Sequence, residues 1–179
     1  MTTWRRLLTA AVLMALFVPF IQSTGAQAAS VHNRVQELRD ECEPISWNAE
    51  FPGICNRKLD GTFGTVTLAK FRAALPQGGS GHWWIRQHQI TVERGDTVAA
   101  TNAGGIVHTY TEVAQYGKGC IAEWNQAVTE TVDNCDFGKF LSTLVPPGQT
   151  SAPQTLSVGV HKFQCLVHPW MRTVVTVRS

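Results

Sequence analysis

Phe163-Gln164-Cys165-Leu166-Val167-His168-Pro169-Trp170-Met171 places a thiolate, an imidazole and a thioether within seven residues, near the end of a 179-residue chain. Thiolate and thioether are soft donors and imidazole is intermediate, a set that suits copper in both oxidation states. Zinc sites use Cys and His but seldom a thioether. One loop does not complete a redox copper site, which needs a second imidazole. His108, in Gly104-Gly105-Ile106-Val107-His108-Thr109-Tyr110-Thr111, is the best candidate.

The C-x2-H-x2-M spacing near the C-terminus, with one upstream His on a strand, resembles the small blue copper proteins of the cupredoxin family. The short ligand loop is most similar to the amicyanin and plastocyanin type. The resemblance covers residues 86–179. It implies a Greek-key β-sandwich holding one type 1 copper ion through His108, Cys165, His168 and Met171. Two imidazoles and a thiolate would lie in a near-trigonal plane with a weak axial thioether. It also implies an electron carrier, not an enzyme, with the loop His168 at the surface as the electron port. One departure stands out. Many family members carry Asn after the first His, where it ties the two ligand segments together; here Thr109 takes that place.

The strand pattern upstream of the ligand loop agrees. Residues 89–93 and 96–101 flank a turn at Arg94-Gly95, residues 106–113 are β-rich, and residues 154–158 and 160–165 follow Pro147-Gly148. Residues 173–177 close the chain. Short strands separated by turn signals predict an all-β sandwich or barrel. Residues 116–144 form a long insertion with an acidic lean from Glu123, Glu130, Asp133 and Asp136, joined by Glu112 just before it. Its acids either guide a basic partner or form a solvated face.

Residues 1–29 read as an export signal. Trp4-Arg5-Arg6 is followed by an uncharged apolar run over 7–21 and the small-x-small site Ala26-Gln27-Ala28. The run is short for a membrane span, although an uncleaved anchor is the alternative. A periplasmic or extracellular location follows, with a mature chain that is soluble and monomeric. Of 15 Lys and Arg, Arg5 and Arg6 fall in this segment, so the remaining 13 equal the 13 acids. A neutral chain without a basic stripe excludes a nucleic-acid module.

Five cysteines in an oxidising compartment leave one unpaired. The copper reading makes that one Cys165. The rest form the local couples Cys42/Cys55 and Cys120/Cys135, the favoured one of three possible pairings. Residues 30–80 read as a helical and loop extension that covers the barrel, before a copper domain over 81–179. Residues 31–41 are charged enough for an exposed helix, and 42–63 read as disulfide-tied loop. Residues 67–75 read as a helix with Thr67 as N-cap and Leu68, Phe71 and Leu75 on one face.

The remaining histidines have ordinary readings. His32 is near the mature N-terminus, and His82 and His88 flank Trp83-Trp84. His161 shares a strand with Cys165 but lies about 13 Å away along it. Arg94-Gly95-Asp96 is a turn before it is an adhesion tripeptide. Trp170 either faces a docking partner or packs over the copper loop.

Three functions compete. The leading one is an exported electron carrier with a redox partner docking near His168 and Trp170. The second is copper storage, delivery or sensing, for which Met-rich or His-rich tracts would speak; the chain has three Met, two of them Met1 and Met14. The third is a hydrolase with Cys165 as nucleophile and His108 or His168 as base, which leaves Met171 unexplained.

Overall fold

Residues 33–39 form a strand, β1 (Asn33–Arg39), where their charge predicts an exposed helix. The deciding signal is a period of two. Gln36, Leu38 and Asp40 are buried, while Glu37 and Arg39 between them reach solvent and pair with each other. Alternation of this kind suits a half-buried strand. Glu37 also pairs with Arg86, so the charges that suggest a helix decorate the outer face of a sheet.

In a computed structural model that describes residues 31–179, the chain continues through β2 (Trp84–Ile85), β3 (Gln89–Glu93), β4 (Thr97–Asn102), β5 (His108–Thr109), β6 (Thr111–Val113), β7 (Leu144–Val145), β8 (Gln154–Thr155), β9 (Gly159–Gln164) and β10 (Arg172–Arg178). One sheet has the order β2-β1-β4-β8 and the other β3-β10-β9-β6; β5 and β7 form a separate two-stranded ladder. β1 runs parallel to β4 from Asn33↔Thr97 to Leu38↔Asn102. β10 runs parallel to β3 and antiparallel to β9. The turn at Gly95, with φ of 93°, thus passes from one sheet to the other. In that turn Asp96 is buried and accepts from the backbone of His32 and Glu93, which makes Arg94-Gly95-Asp96 a structural turn.

Both sheets contribute to one apolar core, through Leu38, Ile85, Val98 and Ala100 on one side and Val92, Phe163, Val175 and Val177 on the other. Tyr110 and Phe163 stack within it at 4.3 Å. Each such fully buried side chain stabilises by about 1.5–3 kcal/mol relative to exposure. The all-β sandwich expected from the strand pattern is the fold observed.

The segment before β2 is part of this unit, which spans Val31–Ser179. Within 42–63, expected to be loop, residues Pro44–Glu50 form helix α1. Pro44 stands in its first turn and Glu43 caps it by accepting from the Ile45 and Ser46 amides. Helix α2 (Leu68–Ala74) starts where expected, with the Thr67 hydroxyl accepting from the Lys70 amide. A 3-10 turn, Leu75–Gln77, and left-handed Gly78 end it. The insertion holds a second 3-10 helix, Ala122–Ala127, and helix α3 (Phe137–Ser142). Cys42–Cys55 and Cys120–Cys135 are disulfides, and Cys165 is a buried free thiol. The segment 1–29, expected to be an export signal, lies outside the described residues. Among the described residues no helix is long and apolar enough to cross a membrane.

Candidate metal centre

Cys165 directly follows β9, and Arg172 opens β10, so the ligand loop is a hairpin connection pinned by the Arg172↔Gln164 pair. The Cys165 amide donates to the Met171 carbonyl at 3.0 Å, and the Met171 amide donates to the His168 carbonyl at 2.9 Å. These two bonds fix the loop ends without any metal. Pro169 adds its own fixed φ at the turn. His108 arrives from β5, whose partner β7 pairs Val145 with it.

The two segments are tied beside the sulfur. The Thr109 amide donates to Cys165 Sγ at 3.3 Å, and the His168 amide donates to it at 3.4 Å. The Thr109 hydroxyl accepts from the Leu166 amide at 2.7 Å. Thr109 therefore ties the His108 segment to the ligand loop through both its amide and its hydroxyl.

His108 Nδ1 and His168 Nδ1 are 3.1 Å apart, and Cys165 Sγ is 3.8 Å and 3.7 Å from them. All three residues are fully buried. A point inside that triangle lies about 2.1 Å from all three atoms, close to the usual ~2.0–2.1 Å metal–nitrogen and ~2.3 Å metal–sulfur bonds. Among the described residues this is the group of His, Cys, Asp and Glu that could hold a metal ion. Met171, in the same loop, is 1% exposed.

The charges of these groups are set by one another. Burial by itself lowers the His108 pKa, but hydrogen bonds with Asp40 and Cys165 raise it to about 9. Burial raises the Cys165 thiol, yet the hydrogen bond and charge of His108 and the two backbone amides bring it below its ordinary value. Asp40 is likewise held low, burial being outweighed by His108 and the backbone amides. Burial, then the charge of His108, push His168 well below the ordinary imidazole range. Without metal, His108 is thus an imidazolium held between the Asp40 carboxylate and the Cys165 sulfur, and neutral His168 turns Nδ1 toward it.

His168 is not at the surface, which corrects the expectation from its loop position. The Trp124 ring of the insertion stacks on it at 4.7 Å and 17°. Phe71 of α2, Trp83 and Trp170 complete an aromatic enclosure at 6.1, 6.1 and 5.6 Å. His168 Nε2 is buried inside it with no hydrogen-bond partner. Trp170 is half-buried and donates to the Ser80 carbonyl at 3.1 Å, so it packs over the ligand loop. Left-handed Gly79 lies against its ring, where a Cβ would collide.

The insertion is fastened to the ligand loop. The Gln164 side chain exchanges two hydrogen bonds with Gly117, and the Cys120 amide donates to the Leu166 carbonyl at 2.7 Å. Two of its acids pair internally, Glu123 with Arg72 and Glu130 with Arg172. Arg172 holds Glu130 down to about 2. The other histidines stay apart from the cluster: His161 pairs with Glu112 and Ser157, His32 contacts Asp96, and His82 and His88 are exposed. Sequence reasoning missed Asp40, Phe71 and Trp124. Asp40 was detectable as a buried position in the period-two pattern of β1; no sequence signal marks Trp124.

No family model matches the chain, and no curated relative does. Among solved structures, the purple cupredoxin from Nitrosopumilus maritimus is 21% identical over 55% of this chain and 86% of its own, with a TM-score of 0.38. Amicyanin from Paracoccus versutus is 21% identical over 52% and 72%, with a TM-score of 0.35. A reduced amicyanin mutant gives 21%, 51%, 70% and 0.34 in the same order. With two facing sheets and the His108–Cys165–His168 group gathered on the β9–β10 loop and β5, the fold of this chain is cupredoxin-like.

Proposed function

We propose that this protein carries single electrons on one type 1 copper ion, which His108, Cys165 and His168 would hold, with Met171 as a weaker thioether donor from the same loop. The observation behind this reading is the triangle of Nδ1, Nδ1 and Sγ, sized for one ion and built from one soft and two intermediate donors. Copper supplies a one-electron couple between Cu(II) and Cu(I). The chain supplies a ligand frame that is fixed by backbone bonds before loading, so little has to move when the charge changes. His108 gives up its Nδ1 proton on loading, while its Nε2 stays on Asp40.

The full burial of all three ligands speaks against a Cys165 hydrolase, because a substrate has no approach to the sulfur. It also speaks for a carrier over a delivery protein, which must release its metal through an opening. Electrons leave through the aromatic cover instead of a bare imidazole edge. Trp170, half-buried and in edge contact with His168, is the port, and the redox partner docks over it. The protein is exported to a periplasmic or extracellular location and works as a soluble monomer without nucleic acid. The sequence of residues 1–29 and the paired cysteines support the export.

The test is the optical spectrum. The copper-loaded, oxidised protein shows an intense visible charge-transfer band, and Cys165→Ser abolishes it. Copper bound with the same spectrum in Cys165→Ser rules out the assignment.

A further inference from the structure

Asp40 stands at the end of β1, outside the ligand segments, and is fully buried. Its Oδ2 accepts from His108 Nε2 at 3.0 Å and from the Ile106 amide at 3.0 Å, and its Oδ1 faces the Cys42 amide at 3.3 Å. The surroundings are shaped to bring it there. Gly104 passes so close that a Cβ would strike the carboxylate, and a Cβ on Gly105 would strike the Asn56 carbonyl. Asn56 and Leu38 hold the same loop through their backbone bonds to Gly105 and Ala103. A carboxylate is costly to bury unless hydrogen bonds satisfy it, so its placement here answers to a specific partner.

We propose that Asp40 is a positioning residue of the metal centre, orienting His108 so that Nε2–H meets the carboxylate and Nδ1 faces Cys165 and His168. This inference rests on the copper reading. It deepens it in two ways. An imidazole flipped about its ring would offer a carbon where Nδ1 stands, and the carboxylate prevents that flip. The negative charge behind the ring also makes His108 a stronger donor, which favours Cu(II). The N-terminal segment thus acts on the site instead of merely covering the sandwich.

The experiment compares the parent with Asp40→Asn and Asp40→Ala. In the metal-free parent, NMR with 15N-labelled histidine shows an Nε2–H on His108 that exchanges slowly with water. Asp40→Ala loses that signal, and its copper affinity falls about 10–100-fold, as is usual when the partner of a ligand imidazole is removed. Asp40→Asn keeps an acceptor but no charge. It retains the visible band and shifts the Cu(II)/Cu(I) preference at least tenfold toward Cu(I), a rise of about 59 mV by voltammetry. If Asp40→Ala does not fold, Asp40→Asn and the parent signal decide. Absence of a protected His108 Nε2–H in the parent overturns the proposal, as does a parent-like potential in Asp40→Asn. Failure of the copper reading shows separately, as a parent without the band, and leaves the NMR arm standing.

Discussion

Replacing Trp124 by Ala removes the ring that stacks on His168 and opens the cover of the site. Trp124 is 5% exposed and sits 5.2 Å from Phe71 and 6.3 Å from Trp47, both edge-on, besides the stacked contact with His168. Deleting a buried Trp costs about 3–5 kcal/mol through lost transfer energy and the cavity left behind. Three aromatic contacts, each worth ~0.5–1.5 kcal/mol beyond area, place this site in the upper half of that range. The Arg72–Glu123 pair beside it is exposed and adds little. With a urea slope of about 2 kcal/mol/M, the metal-free variant unfolds about 2 M earlier than the parent. Water then reaches His168 Nε2, which has no partner in the closed site. Better solvation favours the more highly charged Cu(II), so the reduction potential falls. Trp124→Phe keeps a stacked ring and stays near the parent in both measurements. Urea melts and voltammetry on the three proteins are sufficient. An Ala variant with the parent's potential shows that Trp124 does not shield the metal centre, and a stability loss under about 1 kcal/mol refutes the packing argument as well.

Two further outcomes follow from other sites. Met171→Gln replaces a thioether by a harder oxygen and lowers the potential with copper retained, whereas Met171→Leu raises it because Cu(I) tolerates three donors better; equal potentials in all three by voltammetry make Met171 a packing residue. His161 is raised above 6.5 chiefly by its hydrogen bond with Glu112, against the effect of burial. A raised folded pKa means that its contribution is complete below the unfolded value and is lost as the pH climbs through the folded one. Glu112 is half-exposed, so the effect stays under about 1 kcal/mol. Melting curves of parent and His161→Gln differ most below the unfolded imidazole pKa and converge as the pH rises through the folded one; a difference that grows with pH contradicts the pairing.

The ligand loop and most of the strands were legible because their signals are local. Donor spacing, Thr67 as a cap, Gly78-Gly79 as a stop and the β-branched run at the C-terminus need only a few neighbouring residues. What escaped depends on distant neighbours. Residues 33–39 carry charges that suit a solvated helix, and only pairing with β4 turns their alternate residues into a sheet face. The family expectation placed His168 at the surface because a bare sandwich leaves that loop open. Trp124 closes it from a segment more than forty positions upstream, and nothing in residues 122–127 announces the target. Asp40 looks like one more acid in a charged stretch until β1 carries it beneath His108.

These additions share a logic. Each imidazole is supported by a segment outside the sandwich strands that carry the ligands: β1 brings Asp40 to His108, and α2 with the insertion brings Phe71 and Trp124 to His168. Ordering such segments opposes folding by about 1–2 kcal/mol per residue in backbone entropy, and the insertion has little regular pairing to offset it. The Cys120–Cys135 disulfide contributes about 3 kcal/mol in the chain-entropy model. The Gln164–Gly117 exchange and the Asn125 side chain, which bonds both backbone groups of Gly119, supply the local hydrogen bonds that strands would otherwise give. These restraints lie at the insertion's root, close to Trp124 and to Leu166 of the ligand loop. The two disulfides therefore stand where the aromatic cover and the Asp40 loop need holding, one beside each imidazole's support.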